Sequence, residues 1–220
     1  MRIDEKRNLV LPVVTEKVTR QVTKKVDGKD VTEDLTEDVV RVHAFHTPIS
    51  REIFEINYRV LASTKSALAG KGAHYLMSAG PRIAAMTLKD EGRKDAIARG
   101  SFDEHGNVID NETLGFLLEI KRLTVLLCAG PNGWETLPVD AAIAAGKIDS
   151  EDWEEVASSI VFFSCHYAMA RKADRETTAK ATASLLDAEL TSSSPMEFVA
   201  SSVTLTPAEP TTKTRSSIAC

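Results

Sequence analysis

Cysteine is scarce in this chain. Cys128, Cys165 and Cys220 are odd in number and far apart, which excludes a disulfide framework and any metal-ligand spacing built on thiols. Long apolar runs are also missing. Leu123 to Ala129 and Ile160 to Phe163 fall far short of the ~20 residues a membrane-spanning helix needs. The opening residues, MRIDEKRNLV, contain no apolar stretch of the kind a secretory signal carries, so a cytoplasmic protein is expected. No strong basic field exists either. The formal charge is -5 and the pI about 5.6, which argues against a nucleic-acid partner. Arg20, Lys24 and Lys25 do cluster. The acidic set Glu33, Asp34, Glu37 and Asp38 follows them closely enough to cancel most of their field.

What is present is enough for a folded body: 43% apolar residues build a core and 27% charged residues keep its surface wet. Arg7 to Val14 (RNLVLPVV) is rich in β-branched residues and reads as a short strand, with Pro12 at an edge or end. Asp27-Gly28 is a hairpin dipeptide. A two-residue turn there sets Val26 opposite Lys29, Lys25 opposite Asp30, and Arg20, Gln21 and Val22 opposite Leu35, Asp34 and Glu33. Val39 to Phe45 alternates and should pair with the first strand. A disordered loop between Thr15 and Asp38 competes with this hairpin, because apolar residues are few there.

Helical patterning starts after Thr47-Pro48-Ile49-Ser50, where either Thr47 or Ser50 is the cap. Ile53, Ile56, Val60, Thr64 and Ala67 share one stripe, and Gly70 and Gly72 close it. Pro81 opens a second helix that runs to Gly100. Asp110 or Asn111 caps a third, expected over Glu112 to Ala129 and apolar over most of its surface; Gly130-Pro131-Asn132-Gly133 breaks it. A short helix covers Pro138 to Ala145. Asp149 or Ser150 caps the next long one. With Asp149 as cap, Ile148 and Trp153 take the two positions of a hydrophobic staple. Thr177 to Leu190 is a further helix. From Thr191 on, Ser, Thr and Pro dominate and a mobile tail is expected, with Met196, Phe198 and Val199 as a short docking segment. The expected fold is therefore mainly α: a helical bundle (47–190) with a small N-terminal antiparallel β-hairpin or sheet (1–46) and a disordered C-terminal tail (191–220).

Motifs that carry chemistry are absent. No GxxxxGK[ST], GxGxxG or GxSxG occurs, and no catalytic or cofactor-binding residue is assigned. His43 and His46 lack further ligands for a metal and read as surface or turn histidines. Cys165 and His166 adjoin in sequence, but helical neighbours point about 100° apart, so they read as a core thiol and a half-exposed imidazole rather than a nucleophile and its base. Glu151 to Glu155 match the positive end of a helix dipole. A protein that is not an enzyme, and that needs no metal or cofactor, is expected.

The order of four segments, RNLVLPV, VHAFHTPISREIF, AGPRIAAM and IDSEDWEEVASSIVFFS, resembles the tail assembly chaperones of long-tailed (siphovirus-type) phages, the lambda G-like proteins. The likeness spans Arg7 to Met169. It implies a helical chaperone that binds the tape measure protein, keeps it soluble until tail-tube subunits polymerise around it, and is absent from the finished virion. It also implies a longer, frameshifted form whose added domain recruits tail-tube protein, with this chain as the short form. The working place would be the host cell cytoplasm. Thr15 to Asp38 departs from the family, being longer than the turn expected between its two N-terminal strands. The candidate partner-binding residues are Phe54, Tyr58, Arg82, Trp153 and Phe163; burial in the core is the alternative for the Glu112 to Ala129 helix and the Trp153 helix, and a structural role the alternative for Arg82. Self-association is a further candidate; nucleic acid and membrane are not. A structural tail-completion or connector subunit of the virion is the alternative function.

Overall fold

The computed structural model describes residues 7–26, 29–130 and 133–201. Two long strands come first, β1 (Asn8–Val26) and β2 (Lys29–His46). Three helices follow: α1 (Arg51–Gly70), α2 (Ala73–Ser78) and α3 (Gly80–Ala98). Next come α4 (Asn111–Arg122), a strand pair β3 (Thr124–Gly130) and β4 (Gly133–Pro138), and α5 (Val139–Ala144). The chain closes with α6 (Ser150–Tyr167), α7 (Arg175–Leu185), β5 (Glu189–Thr191) and α8 (Pro195–Ser201).

The strands make one five-stranded antiparallel sheet in the order β4-β3-β2-β1-β5. Its two faces follow from the period of two along each strand. Leu9, Leu11, Val42, Ala44, Leu126 and Cys128 point into the main core, which they share with buried side chains of α1, α3, α4, α5, α6 and α7. Val10, Phe45 and Leu127 point the other way, where Phe198 of α8 closes a second, smaller cluster. Packed on both faces, β3 has no need to alternate, and its sequence TVLLCAG is continuously apolar at its centre.

β1 and β2 pair in the register the hairpin reading set: Val26 with Lys29, Lys25 with Asp30, Arg20 with Leu35, Gln21 with Asp34 and Val22 with Glu33. The turn residues Asp27 and Gly28 lie outside the described residues. Near the body the register shifts on both sides of Val14, so a bulge follows Pro12. Beyond Thr15 and Val40 neither strand has another neighbour among the described residues, since β5 meets only Asn8 to Val10 and β3 only Val42 to His46. The outer ribbon, Thr15 to Val26 on one strand, extends about 40 Å at ~3.3 Å per residue. Threonine hydroxyls meet across it, Thr19 with Thr36 at 3.1 Å and Thr23 with Thr32 at 3.4 Å.

The expectation of a mainly α helical bundle is overturned: a sheet built from both ends and the middle of the chain forms one layer of the core. The helix expected over Glu112 to Ala129 is two elements. α4 ends at Arg122, and Thr124 to Gly130 is β3. A short apolar run buried on both sides carries no periodicity that separates strand from helix, and here strand pairing on two edges decides. Gly130-Pro131-Asn132-Gly133, expected to break a helix, joins β3 to β4, with Gly130 opposite Gly133. The disordered tail expected from Thr191 is likewise corrected up to Ser201. There β5 pairs with β1, and α8 buries Phe198 at 6% exposure. A signal for α8 was present in Ser194-Pro195-Met196-Glu197. The Ser194 amide donates to the Glu197 carboxylate (2.8 Å) and the Glu197 amide to Ser194 Oγ (3.4 Å), a capping box with proline at the first helical position. Residues 202–220 lie outside the described residues.

Ser50 caps α1, accepting from the Ile53 amide at 3.2 Å, and Asp110 caps α4, accepting from the Thr113 amide at 3.1 Å. At α6 the Asp149 carboxylate accepts from the Asp152 amide (2.8 Å) and the Asp152 carboxylate from the Asp149 amide (2.9 Å). α6 is the central helix: of Val156 to Cys165 all but Ser159 are buried. Small residues let α3 lie close on it, for a Cβ on Gly80 would sit 2.9 Å from Phe162 Cε2.

Candidate functional site: a three-helix groove

α3, α4 and the first turns of α6 do not fill the space where they meet. They leave an open groove of about 730 Å³. Helical spacing explains which side chains line it. Arg82, Met86 and Lys89 recur at i, i+4 and i+7 on α3. Leu114, Leu117, Leu118 and Lys121 recur at i, i+3, i+4 and i+7 on α4. Glu151, Trp153, Glu154 and Glu155 come from the opening turns of α6. The Asp149 cap and the packing of Trp153 against the core hold those turns in place.

Apolar side chains line this groove yet remain in water: Met86 is 58% exposed, Leu114 57% and Leu118 67%. Full burial of a side chain of this size is worth about 1.5–3 kcal/mol, so an occupant covering all three gains a sizeable driving force. Charge is sorted by element. The bases Arg82, Lys89 and Lys121 stand on α3 and α4, and the acids Glu151, Glu154 and Glu155 on α6. Lys121 is paired with Asp140. Among the described residues, no ion pair engages Arg82, Lys89, Glu151, Glu154 or Glu155. An ion-pair chain links α1, α3 and α4. Asp95 of α3 accepts from Arg59 of α1 (2.5 Å) and from Arg99 (2.8 Å), and Arg99 reaches Glu112 of α4 (2.7 Å).

Two of the five residues expected to bind a partner, Arg82 and Trp153, come together here. Phe54 and Tyr58 sit elsewhere, edge to face on α1 with ring centres 5.7 Å apart; Tyr58 is 53% exposed. Phe163 is corrected. At 2% exposure it belongs to the core, stacked on Tyr167 at 5.4 Å, and offers a partner no surface. Its place on the same stripe as Trp153 misled, because α6 is buried over most of its circumference while only its first turns reach the surface. Met86 was missed as a contact residue, and Leu114 and Leu118 were read only as part of an apolar helix whose surface was a candidate for binding or for the core. The spacing of the two leucines was visible, but a helix continued to Ala129 has no identifiable outer face.

His43, His46 and Cys165 are buried, and His166 is half-buried. His43 and His46, at 9% and 1% exposure, are not on the surface as expected. The His43 ring lies 5.7 Å from that of Trp134 and 6.2 Å from that of Phe198. Thr124 donates its hydroxyl proton to the Ile120 carbonyl (2.8 Å), so the 2.9 Å contact between His46 Nδ1 and Thr124 Oγ1 is satisfied by a proton on Nδ1. Burial lowers the pKa of His43 to about 4 and that of His46 to about 3. Burial also pushes the Cys165 thiol up to about 12, so it holds its proton at neutral pH. His166 stacks over Phe162 at 4.3 Å, with Nδ1 2.8 Å from that residue's carbonyl oxygen. Among the described residues no group of three His, Cys, Asp or Glu is placed to hold a metal ion, and no helix is long and apolar enough to cross a membrane. The arrangement is suited to burying apolar surface against another chain. No protein-family model, no curated protein and no solved structure matches this chain.

Proposed function

We propose that this chain is a tail assembly chaperone of a long-tailed phage, which holds helical stretches of the tape measure protein in the α3/α4/α6 groove. One observation carries the proposal: exposed Met86, Leu114 and Leu118 line an open groove of about 730 Å³ between three helices, an apolar surface of the kind that takes the stripe of a further helix. Two of the four segments that resemble the chaperone family supply its walls. AGPRIAAM places Arg82 and Met86 on α3, and IDSEDWEEV places Glu151, Trp153, Glu154 and Glu155 on α6. A long client with repeated amphipathic helices would engage several copies, each covering greasy surface that otherwise self-associates. Growth of the tail tube along the client would then displace the chaperone, leaving it out of the virion. On this proposal the protein works in the host cell cytoplasm. A longer frameshifted form would carry the domain that recruits tail-tube protein.

Co-expression with the tape measure gene of the same genome tests this. The expected result is a soluble complex that keeps an otherwise insoluble client in solution. A client that stays insoluble, with this chain recovered in purified virions, overturns the proposal in favour of a structural tail subunit.

A further inference from the structure

We propose that the groove selects a helix whose apolar stripe is bordered by acidic residues along one side and basic residues along the other. The inference rests on the groove being a helix-binding site and adds the chemistry of the occupant. Arg82 and Lys89 make the α3 wall basic, and Glu151, Glu154 and Glu155 make the α6 wall acidic. None of the five has an ion-pair partner among the described residues. The remaining base of the groove, Lys121, is already neutralised by Asp140.

An occupant that buries Leu114, Leu118 and Met86 must draw water away from both walls. A stripe with uncharged borders would leave five charges partly desolvated without partners, which opposes binding. An all-acidic border would satisfy α3 and be repelled by α6; an all-basic border would do the reverse. Only a border of mixed sign, sorted by side, answers both walls at once. Contact is short. Leu114 to Lys121 spans about 10 Å of helix, or roughly two turns, so the recognised unit is an i, i+3/i+4, i+7 stripe with one or two charges on each flank. A short unit of this kind can recur many times along a long helical client.

The test uses the full chain and fluorescent helical peptides of about 18 residues, long enough to hold a helix in water. All carry one leucine stripe; the borders are acid on one side and base on the other, all acidic, all basic, or all glutamine. Binding is read by fluorescence anisotropy. The sorted peptide is expected to bind about tenfold or more tighter than any other, with the advantage shrinking at high salt. In Arg82→Glu/Lys89→Glu the preference should move to the all-basic peptide. In Glu151→Lys/Glu154→Lys/Glu155→Lys it should move to the all-acidic one. These positions are solvent-exposed and outside the core, and far-UV circular dichroism verifies that each variant is folded. Equal binding of all four peptides, abolished by Leu118→Asp, overturns the charge selection and leaves the groove as a helix site. Binding of none overturns the helix site itself.

Discussion

Gly92 shows how tightly two helices can be joined through one missing side chain. It lies where α3 crosses the start of α4, and a Cβ there would run into Thr113 Oγ1 and the Asp110 carboxylate, the group that caps α4. Gly92→Ala gains helix propensity but must displace the cap. A net loss of about 1–3 kcal/mol is expected, seen as a lower urea midpoint. The buried histidines make a second case. Unfolded, both imidazoles titrate near the ordinary 6.5; folded, they titrate near 4 and near 3 because burial penalises the cation. Between those values the unfolded chain holds more protons. Stability is therefore fully present above 6.5 and is lost as the pH falls towards 4 and 3. The shifts correspond to about 3 kcal/mol for His43 and about 5 kcal/mol for His46. Urea midpoints should fall steadily from pH 7 to about pH 5, before most carboxylates titrate, and His43→Gln should flatten that slope. A midpoint constant over this range would mean that the imidazoles are reached by water.

Among the elements, the β1/β2 ribbon and the body obey different rules. Val14 and Val42 are the outermost pair that touches the main core; from Thr15 and Val40 outward the ribbon rests on its own cross-strand pairs. Joining Glu16 to Val39 through a short turn, with the residues between removed, is expected to leave the thermal midpoint of the body within a few degrees of the full chain. A collapse of the fold would show that the ribbon nucleates the sheet. The register of this ribbon was legible in the sequence because it depends only on a local turn and a period of two. β3 was not, because it pairs with β2 some 80 residues away in the chain, and β4, which pairs with β3, could not be read once β3 was taken for helix. The same holds for β5, three residues long, which has no pattern of its own until β1 lies beside it.

At the scale of the whole molecule, the sheet turns one face to the main helical core and the other to α8, and the groove opens among α3, α4 and α6. Met86→Asp/Leu118→Asp alters only exposed positions, so the circular dichroism spectrum should be unchanged, while co-purification of the tape measure client falls by at least about tenfold, the loss of two buried apolar anchors. Retained co-purification would move the client site to another surface, with the Phe54 and Tyr58 pair on α1 the next to test.

Local chemistry determined a good part of this protein from the sequence alone. The starts of α1, α4 and α6 were each narrowed to two nearby residues, of which Ser50, Asp110 and Asp149 are the caps, and the hairpin register followed from its turn; each depends on residues a few positions apart. Tertiary structure decided the rest. Whether Leu123 to Ala129 is helix or strand, whether Phe163 faces water, and whether Glu189 to Ser201 is ordered all turn on which distant segment covers them. Burial is a property of the assembled layers: one apolar run meets the needs of a helix or a strand equally well until a neighbour supplies either hydrogen-bonding edges or a packed face.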